Sequence, residues 1–594
     1  MVIKYPVDES RPFYGKFWPE GVPHQLDMDF SMTMGDLLDR AVKNWGNDPA
    51  IWFLDTFITY KELEDKASRF ATYLDSIGVK KGDVVALHLP NCIQYVVAYY
   101  GCAKIGAIVT GINPTYKPLE ILHQLKLTGA KYILALDALY VHFVKPIEQK
   151  WEFKKVIWTN LVDEASGFSP ILKFLGKLLK KIPKAKIKQA NAISWKEVMK
   201  TEPSVPKVEF NVENDAVTLI MTGGTTGIPK AAELTHLNLV SNARQAELLM
   251  TRQFESGKEN EKRMGHQTCA VGVLPLYHSF AMTGVMNTSV ACGGYMMLFP
   301  TPPETEELIE KICSMPNYNG FYYPGAEILF QRIAQLPQEI IDKYPDLKNR
   351  LKICLSAAGP LHDYVREPFE KKTGAAITEA YGLTESSPLV SGNNLFGYRE
   401  SGFIGVPAPG TDWDIFDIED FSKGPINKLG EEGTGEICVC GPQVMKGYWQ
   451  NPERTAATIM EYNGKKWLLT GDIGFMDEHG RIAIRDRKKM LIKMAGHSVF
   501  PAEVESFLGS HEQVEEVAVA GLPDPKTGEC VKAWVVLKPG ATITSDELLV
   551  WAQENFTKWK CPKYIDIIDE VPKNLIGKVQ RRSLQEADPL FKKK

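Results

Sequence analysis

What this 594-residue sequence lacks narrows the possibilities before any motif is read. Its ten cysteines include no Cys-x-x-Cys pair. The closest two, Cys438 and Cys440, alternate within the strand-like run Glu436 to Gly441, so they read as reduced packing residues in a reducing compartment. The eleven histidines offer no His-Glu-x-x-His and no pair at ligand spacing beside cysteines, which argues against a zinc site. Neither sign of charge dominates: 69 Lys and Arg against 73 Asp and Glu give a net charge of -4, so no nucleic-acid partner is expected. The most apolar stretch, Val96 to Ile112, is broken by Lys104 and glycines and does not read as a membrane span. Met1 to Pro12 mix charge with proline and lack the apolar segment of a secretory signal. The expected location is the cytoplasm.

What is present is ordinary globular composition, 44% hydrophobic and 24% charged, in a chain too long for one core. From Ile58 to Ile112 a helical stretch (Tyr60 to Ile77), a turn (Gly78 to Gly82), a short strand (Val84 to Leu89) and another helix (Cys92 to Ile105) read as units of a parallel α/β sheet. The rhythm returns at Val217 to Asn242 and at Leu351 to Gly382. There a strand runs into a glycine-bearing loop, the place where open α/β sheets put ligands. Beyond Gly402 come short β runs (Trp413 to Ile418, Gly435 to Cys440, Arg481 to Ile484) separated by turns, indicating a small sheet or barrel-like subdomain. Phe500 to Lys594 read as a compact α+β unit: helices at Pro501 to Leu508 and Ser545 to Asn555, strands at Val514 to Ala520, Val531 to Leu537 and Tyr564 to Ile568. The predicted fold class is α/β, a large N-terminal domain over 1–487 followed by a smaller, mobile α+β C-terminal domain over 488–594.

Ile171 to Gln189 place Ile171, Leu172, Leu175, Leu178, Leu179 and Ile182 on one helical stripe, with lysines outside it. Two readings stay open: peripheral contact with an anionic membrane at the inner face, or a surface helix whose lysines are solvated.

Met221 to Lys230, reading MTGGTTGIPK, follow the apolar run Ala216 to Ile220 and precede a helical pattern near Thr235, where Thr235 or Asn238 would cap. Gly223, Gly224 and Gly227 let backbone N–H groups turn toward an anion. Thr222, Thr225 and Thr226 add hydroxyl donors, and Lys230 brings a positive charge to phosphate oxygens. The loop is not a Walker A motif, because Ile228 and Pro229 stand where Gly-Lys would be.

TGGTTGIPK with the following LTHLN resembles the signature of the adenylate-forming superfamily, which includes acyl-CoA synthetases, peptide-synthetase adenylation domains and beetle luciferases. Further motifs occur in the family's order: LPLYHSFA (Leu274 to Ala281), SAAGPL (Ser356 to Leu361), YGLTESSP (Tyr381 to Pro388), GPQVMKGYW (Gly441 to Trp449), TGD (Thr470 to Asp472), RDRKKMLIKMAGHSVFPAEVE (Arg485 to Glu505) and PKNLIGKVQRR (Pro572 to Arg582). The resemblance implies a two-step reaction: a carboxylate displaces pyrophosphate from ATP to give an acyl-adenylate, and the thiol of coenzyme A then displaces AMP. By the same resemblance, Lys578 is the cation at the substrate carboxylate and α-phosphate. Glu385 is the Mg²⁺ ligand, Thr384 a phosphate contact and Tyr381 the ring on adenine, approached also by the turn Ala358, Gly359 and Pro360. Asp472 and Arg487 are implied at the ribose and phosphates. Lys489 falls where the family places its hinge, and Lys493 and Gly496 belong to the face presented for thioester formation. Met490 departs from the acid the family commonly has after the hinge.

The motifs look most like those of bacterial long-chain fatty acyl-CoA synthetases, with His278, Tyr323 and Gly382 implied at the acyl pocket. Phe321, Tyr322 and Tyr323 are bulky enough to shorten that pocket, so an aromatic or alicyclic acid is the alternative, as is operation in reverse to make ATP. A non-catalytic sensor is disfavoured because Lys578 and Glu385 are both present. Arg487 to Gly496 run without the insertion of fatty acyl-AMP ligases, and no carrier domain follows before Lys594, so coenzyme A is the expected acceptor. Oligomeric state is not legible.

Overall fold

The structure is a computed structural model and describes residues 5–167, 185, 187, 189–222, 230–251, 265–394, 400, 402–494, 497–556, 560–573 and 579–591. Two large sheets form its centre. In the first, the neighbouring strands Pro49–Phe53, Tyr295–Leu298, Cys269–Gly272, Phe321–Gly325, Leu351–Ser356 and Ile377–Gly382 run parallel, with antiparallel strands at either edge. In the second, Ala216–Thr222, Ile108–Gly111, Val84–His88, Tyr132–Leu136, Lys155–Thr159 and Ala192–Ser194 run parallel, and Lys230–Thr235 and then Gly447–Tyr448 extend the edge antiparallel.

Helices fill the space between the sheets. Helix Tyr60–Ser76 starts at a capping box, Thr59 accepting from the Glu62 N–H and Glu62 accepting in return. It buries Leu63, Ala67, Phe70, Ala71 and Leu74 along one stripe. Helix Ile93–Ile105 is apolar on nearly every face because nearly every face is covered, and it ends at Gly106, whose φ of 73° closes the helix in the left-handed conformation. This helix accounts for the most apolar stretch of the sequence: it is an interior helix, and no described helix is long and apolar enough to cross a membrane. The main core takes side chains from both sheets and from these helices, and separate clusters cover the outer face of each sheet.

The α/β expectation therefore holds, with one refinement. The βα units belong to two sheets: strand Pro49–Phe53 joins the first, while Val84–His88, reached through helix Tyr60–Ser76, joins the second. Residues beyond 402 form the expected β region, an antiparallel sheet of Asp412–Phe416, Gly435–Cys440, Lys465–Met476, Ile459–Tyr462 and Ile482–Arg487. A last sheet, His497–Val499, Ile492–Met494, Gly528–Leu537, Val514–Asp524 and Tyr564–Ile567, carries helices Pro501–Gly509 and Ser545–Asn555 and has its own core. All ten cysteines are free.

Candidate active site

A cavity of about 1190 Å³ opens where the carboxyl ends of the central strands of both sheets meet the antiparallel β region. It draws Thr222 and Lys230 from the second sheet, Tyr381, Gly382, Thr384 and Glu385 from the first, and Thr470 and Arg487 from the third. Segments hundreds of residues apart are brought together because strands Ala216–Thr222 and Ile377–Gly382 end at the same cleft, with strand Lys465–Met476 of the antiparallel sheet running beside it.

Thr222 and Lys230 face each other across the antiparallel pair Ala216–Thr222 and Lys230–Thr235, so the segment between them starts and ends at the cavity wall. The following helix, His236–Thr251, begins at the expected cap: Thr235 Oγ1 accepts from the Asn238 N–H at 3.3 Å and Asn238 Oδ1 from the Thr235 N–H at 3.0 Å. Burial lowers the Lys230 pKa, and the nearby Glu385 carboxylate pulls it the other way. The Lys230 ammonium lies 3.9 Å from the centre of the Tyr448 ring, and the Tyr448 hydroxyl donates to Glu385 Oε1 at 2.7 Å. Thr384 Oγ1 lies 3.3 Å from Ser279 Oγ.

A second polar group lies at the antiparallel sheet. Asp472 and Arg487 are directly opposite on neighbouring strands, with Arg487 Nε 2.8 Å from Asp472 Oδ1, and the Tyr381 hydroxyl donates to Asp472 Oδ2 at 2.6 Å. Burial, then the Asp472 charge, push the Tyr381 phenol well above its usual range, so it stays a donor. Beside them Glu436, buried within strand Gly435–Cys440, accepts from the Gly471 N–H and from Lys488 Nζ. Sequence reading missed Glu436 and Lys488, although an acid opening the apolar run Ile437 to Val439 was a signal available in the sequence.

The turn after strand Leu351–Ser356 exposes Ala358, Gly359 and Pro360, and Ala358 lines the cavity. Ala358 holds a φ of 72°, a left-handed conformation that costs a residue with a Cβ on the order of 1–2 kcal/mol. The turn's exit is anchored: Glu379 Oε1 accepts from the Leu361 N–H at 3.1 Å, and burial raises the Glu379 pKa to about 7.

The cavity's apolar lining includes Leu249, Gly284, Tyr322, Ile353, Leu355 and Leu389, and His278 also lines it, its Nδ1 accepting from the Phe280 N–H. Here one expectation is corrected. Tyr323 does not line the cavity. Strand Phe321–Gly325 alternates, so Tyr322 and its register partner Ile353 face inward, while Tyr323 and its partner Cys354 face the outer core, Tyr323 against Phe330. Gly382 does line the cavity, and a Cβ there would meet the Pro388 carbonyl oxygen at 2.1 Å, so the strand needs glycine.

Gly223, Gly224, Thr225, Thr226, Gly227, Gly496 and Lys578 lie outside the described residues, as does most of Ile171 to Gln189. Lys489 is in the turn Lys488–Met490 and Lys493 on strand Ile492–Met494. Lys573 and Gln580, on either side of the segment that carries Lys578, line the cavity. Among the described residues no group of three or more His, Cys, Asp or Glu could hold a metal ion. Glu385, a single carboxylate at the cavity wall with one oxygen engaged by Tyr448, fits a magnesium ion that takes its other ligands from phosphate and water.

Comparison with known proteins agrees with this geometry. Residues 38–449 match the model of the AMP-binding enzyme family, and residues 503–578 that of the AMP-binding enzyme C-terminal domain. The chain is similar to a long-chain-fatty-acid–CoA ligase of Bacillus subtilis, 35% identical over 591 residues, 98% of this chain and 99% of the relative. It is also similar to 4-coumarate–CoA ligase 1 of Solanum tuberosum, 29% identical over 539 residues and 89% of each chain. Among solved structures, ATP-bound MatB from Rhodopseudomonas palustris superposes with a TM-score of 0.74 at 25% identity, covering 93% of this chain and 99% of that one. With the motifs in order, the cavity at the strand ends and a family model matched over most of its length, the chain belongs to the AMP-binding enzyme family.

Proposed function

We propose that the chain is an AMP-forming acyl-CoA synthetase acting on a medium- to long-chain fatty acid. One observation carries this reading: a single cavity is lined both by charged residues, Lys230, Glu385 and Arg487, and by apolar ones, Leu249, Ile353 and Leu355. An anionic nucleotide and an acyl chain thus meet in one space. A carboxylate oxygen attacks the α-phosphorus of ATP, pyrophosphate leaves, and acyl-AMP forms. The coenzyme A thiol then attacks the acyl carbon and AMP departs. Bringing two anions together requires positioned cations and donors, which Lys230, Thr222, Thr384 and Arg487 supply, with Lys578 assigned to the carboxylate and α-phosphate. Magnesium, held by Glu385, would neutralise charge on the leaving phosphates. Tyr381 and the turn Ala358 to Pro360 are assigned to adenine and Asp472 to the ribose.

The fatty-acid assignment is supported by the name and full-length coverage of the Bacillus relative. An aromatic acid is the second reading, favoured by Tyr322 in the cavity lining and by the name of the Solanum relative. We assign residues 488–594 to a unit that turns about Lys489 between the two half-reactions, with Lys493 and Gly496 serving the second.

Exchange of labelled pyrophosphate into ATP, with Mg²⁺ and without coenzyme A, is expected with palmitate or octanoate in the wild type. In Lys578→Ala it is expected to be lost, while thioester formation from supplied acyl-AMP continues. Exchange with benzoate alone would select the aromatic reading, and no exchange with acetate, octanoate, palmitate, benzoate or cyclohexanecarboxylate would refute the adenylate mechanism for these acids.

A further inference from the structure

One aromatic side chain touches both charges of the cavity's phosphate end and has no part in the roles assigned above. The Tyr448 hydroxyl donates to Glu385 Oε1 at 2.7 Å, while its ring lies under the Lys230 ammonium at 3.9 Å. The side chain is 6% exposed and forms part of the cavity wall.

Its backbone is held from several directions. Strand Gly447–Tyr448 pairs with Lys230–Thr235, setting Tyr448 opposite Ala232, and the Trp449 N–H donates to the Ala231 carbonyl at 2.8 Å. The Tyr448 N–H donates to Thr455 Oγ1 at 2.9 Å. Three residues earlier, the Met445 N–H donates to the Glu385 carbonyl at 2.8 Å. One short segment is therefore bonded both to the strand that begins with Lys230 and to the backbone of Glu385. A phenylalanine would fill the same volume, so packing alone does not account for a hydroxyl aimed at this carboxylate.

Lys230 and Glu385 are oppositely charged, and the Glu385 carboxylate acts on the Lys230 ammonium. Lysine is a flexible point charge, and nothing in its chemistry prevents it from closing onto the carboxylate as an ion pair. In such a pair the ammonium is not free for phosphate, nor the carboxylate for a cation.

We propose that Tyr448 is a positioning residue that keeps this pair open. Its hydroxyl fixes Glu385 Oε1 and leaves Oε2 for the divalent cation that accompanies the nucleotide. Its ring seats the Lys230 ammonium by a cation–π contact, from which phosphate oxygens can recruit it. The inference rests on the proposed function for the identity of the ligand, ATP with magnesium.

The test is calorimetric titration of MgATP and of AMP into the wild type, Tyr448→Phe and Tyr448→Leu, with melting temperatures measured alongside. AMP lacks the β- and γ-phosphates and serves as the internal control. Tyr448→Phe keeps the ring and loses the hydroxyl, and is expected to bind MgATP about tenfold more weakly, the scale of a hydrogen bond to a charged group. AMP affinity and melting temperature are expected to stay at the wild-type values. Tyr448→Leu, losing the ring as well, is expected to lose MgATP affinity about threefold further. Wild-type MgATP affinity in Tyr448→Phe would overturn the proposal, and so would an equal loss for both nucleotides with a lowered melting temperature, the signature of a packing role. A wild type that binds neither nucleotide would refute the functional reading itself, before any variant is compared.

Discussion

Asp472 engages both its carboxylate oxygens within the protein, one with Tyr381 and one with Arg487. A carboxylate is acceptor-only and has about four lone-pair sites, so lone pairs remain for a ribose diol with both partners engaged, although Asp472 itself is buried and its neighbours Gly471 and Arg487 line the cavity. Asp472→Asn turns one oxygen into a donor and leaves Arg487 facing a neutral group. AMP affinity measured by calorimetry is expected to fall on the order of tenfold to a hundredfold, and Tyr381→Phe, which removes one hydroxyl only, is expected to lose less. Two glycines separate conformation from contact. A Cβ at Gly359 would meet nothing within 4 Å, so Gly359→Ala is expected to leave the melting temperature unchanged while raising the KM for ATP, if the turn's backbone lies against adenine. An unchanged KM would remove the turn from the adenine site. A Cβ at Gly382 would collide with the Pro388 carbonyl oxygen, a backbone atom that cannot rotate away. Gly382→Ala is expected to destabilise by about 1–3 kcal/mol or more in chemical denaturation.

Individual elements were legible where a period and its stop signals coincided. Helix Ser545–Asn555 matches its predicted span because Thr544 and Glu547 form a capping box at its start. Helix Tyr60–Ser76 stops one residue short of the predicted Ile77, ahead of Gly78. Strand Lys230–Thr235 was not legible: five of its six residues are buried, so it has no polar and apolar alternation, and it read as the approach to a helix. The tyrosine pair was misread for a related reason. Three adjacent aromatics in Phe321–Gly325 show that a strand is buried on both faces, but they do not say which face is the cavity. Observed side by side, they predict different mutants. Tyr322→Ala is expected to shift chain-length preference toward bulkier or longer acids, measured as a ratio of kcat/KM values, and to lose stability as well, since this ring too is buried. Tyr323→Ala is expected to leave that ratio unchanged and to cost about 3–5 kcal/mol in urea unfolding, as a large buried ring does when removed.

At the scale of the molecule, the site's membership was legible because several motifs end a strand, as at Thr222, Ser356 and Gly382, whereas its supporting bonds were not. Glu379 lies two residues before Tyr381 yet holds Leu361 in a different motif, and Glu436 meets Lys488 from 52 residues away. Such pairings depend on which strands become neighbours, and periodicity within one strand carries no information about that. Glu379 also gives the fold a pH dependence. Its folded pKa, about 7, lies above the ordinary value of 4.5, so the native state holds this proton more tightly than the unfolded chain. Its contribution is fully present below pH 4.5 and is lost as pH rises through 7. The loss is on the order of 1–3 kcal/mol, and Glu379→Gln should flatten that part of the stability profile measured by urea unfolding between pH 5 and 8.

The interior helix Ile93–Ile105 has a consequence for synthesis. Tyr100 donates its hydroxyl to Asn287, 187 residues further along the chain. At about 5–20 residues per second, the ribosome needs roughly 10–40 s to make the partner that covers this face. Throughout that interval the most apolar segment of the newborn polypeptide can pack against helices that precede it, Met34–Trp45 and Tyr60–Ser76, while the partner of its buried Tyr100 hydroxyl is still untranslated, so that face is the one left for chaperones to shield.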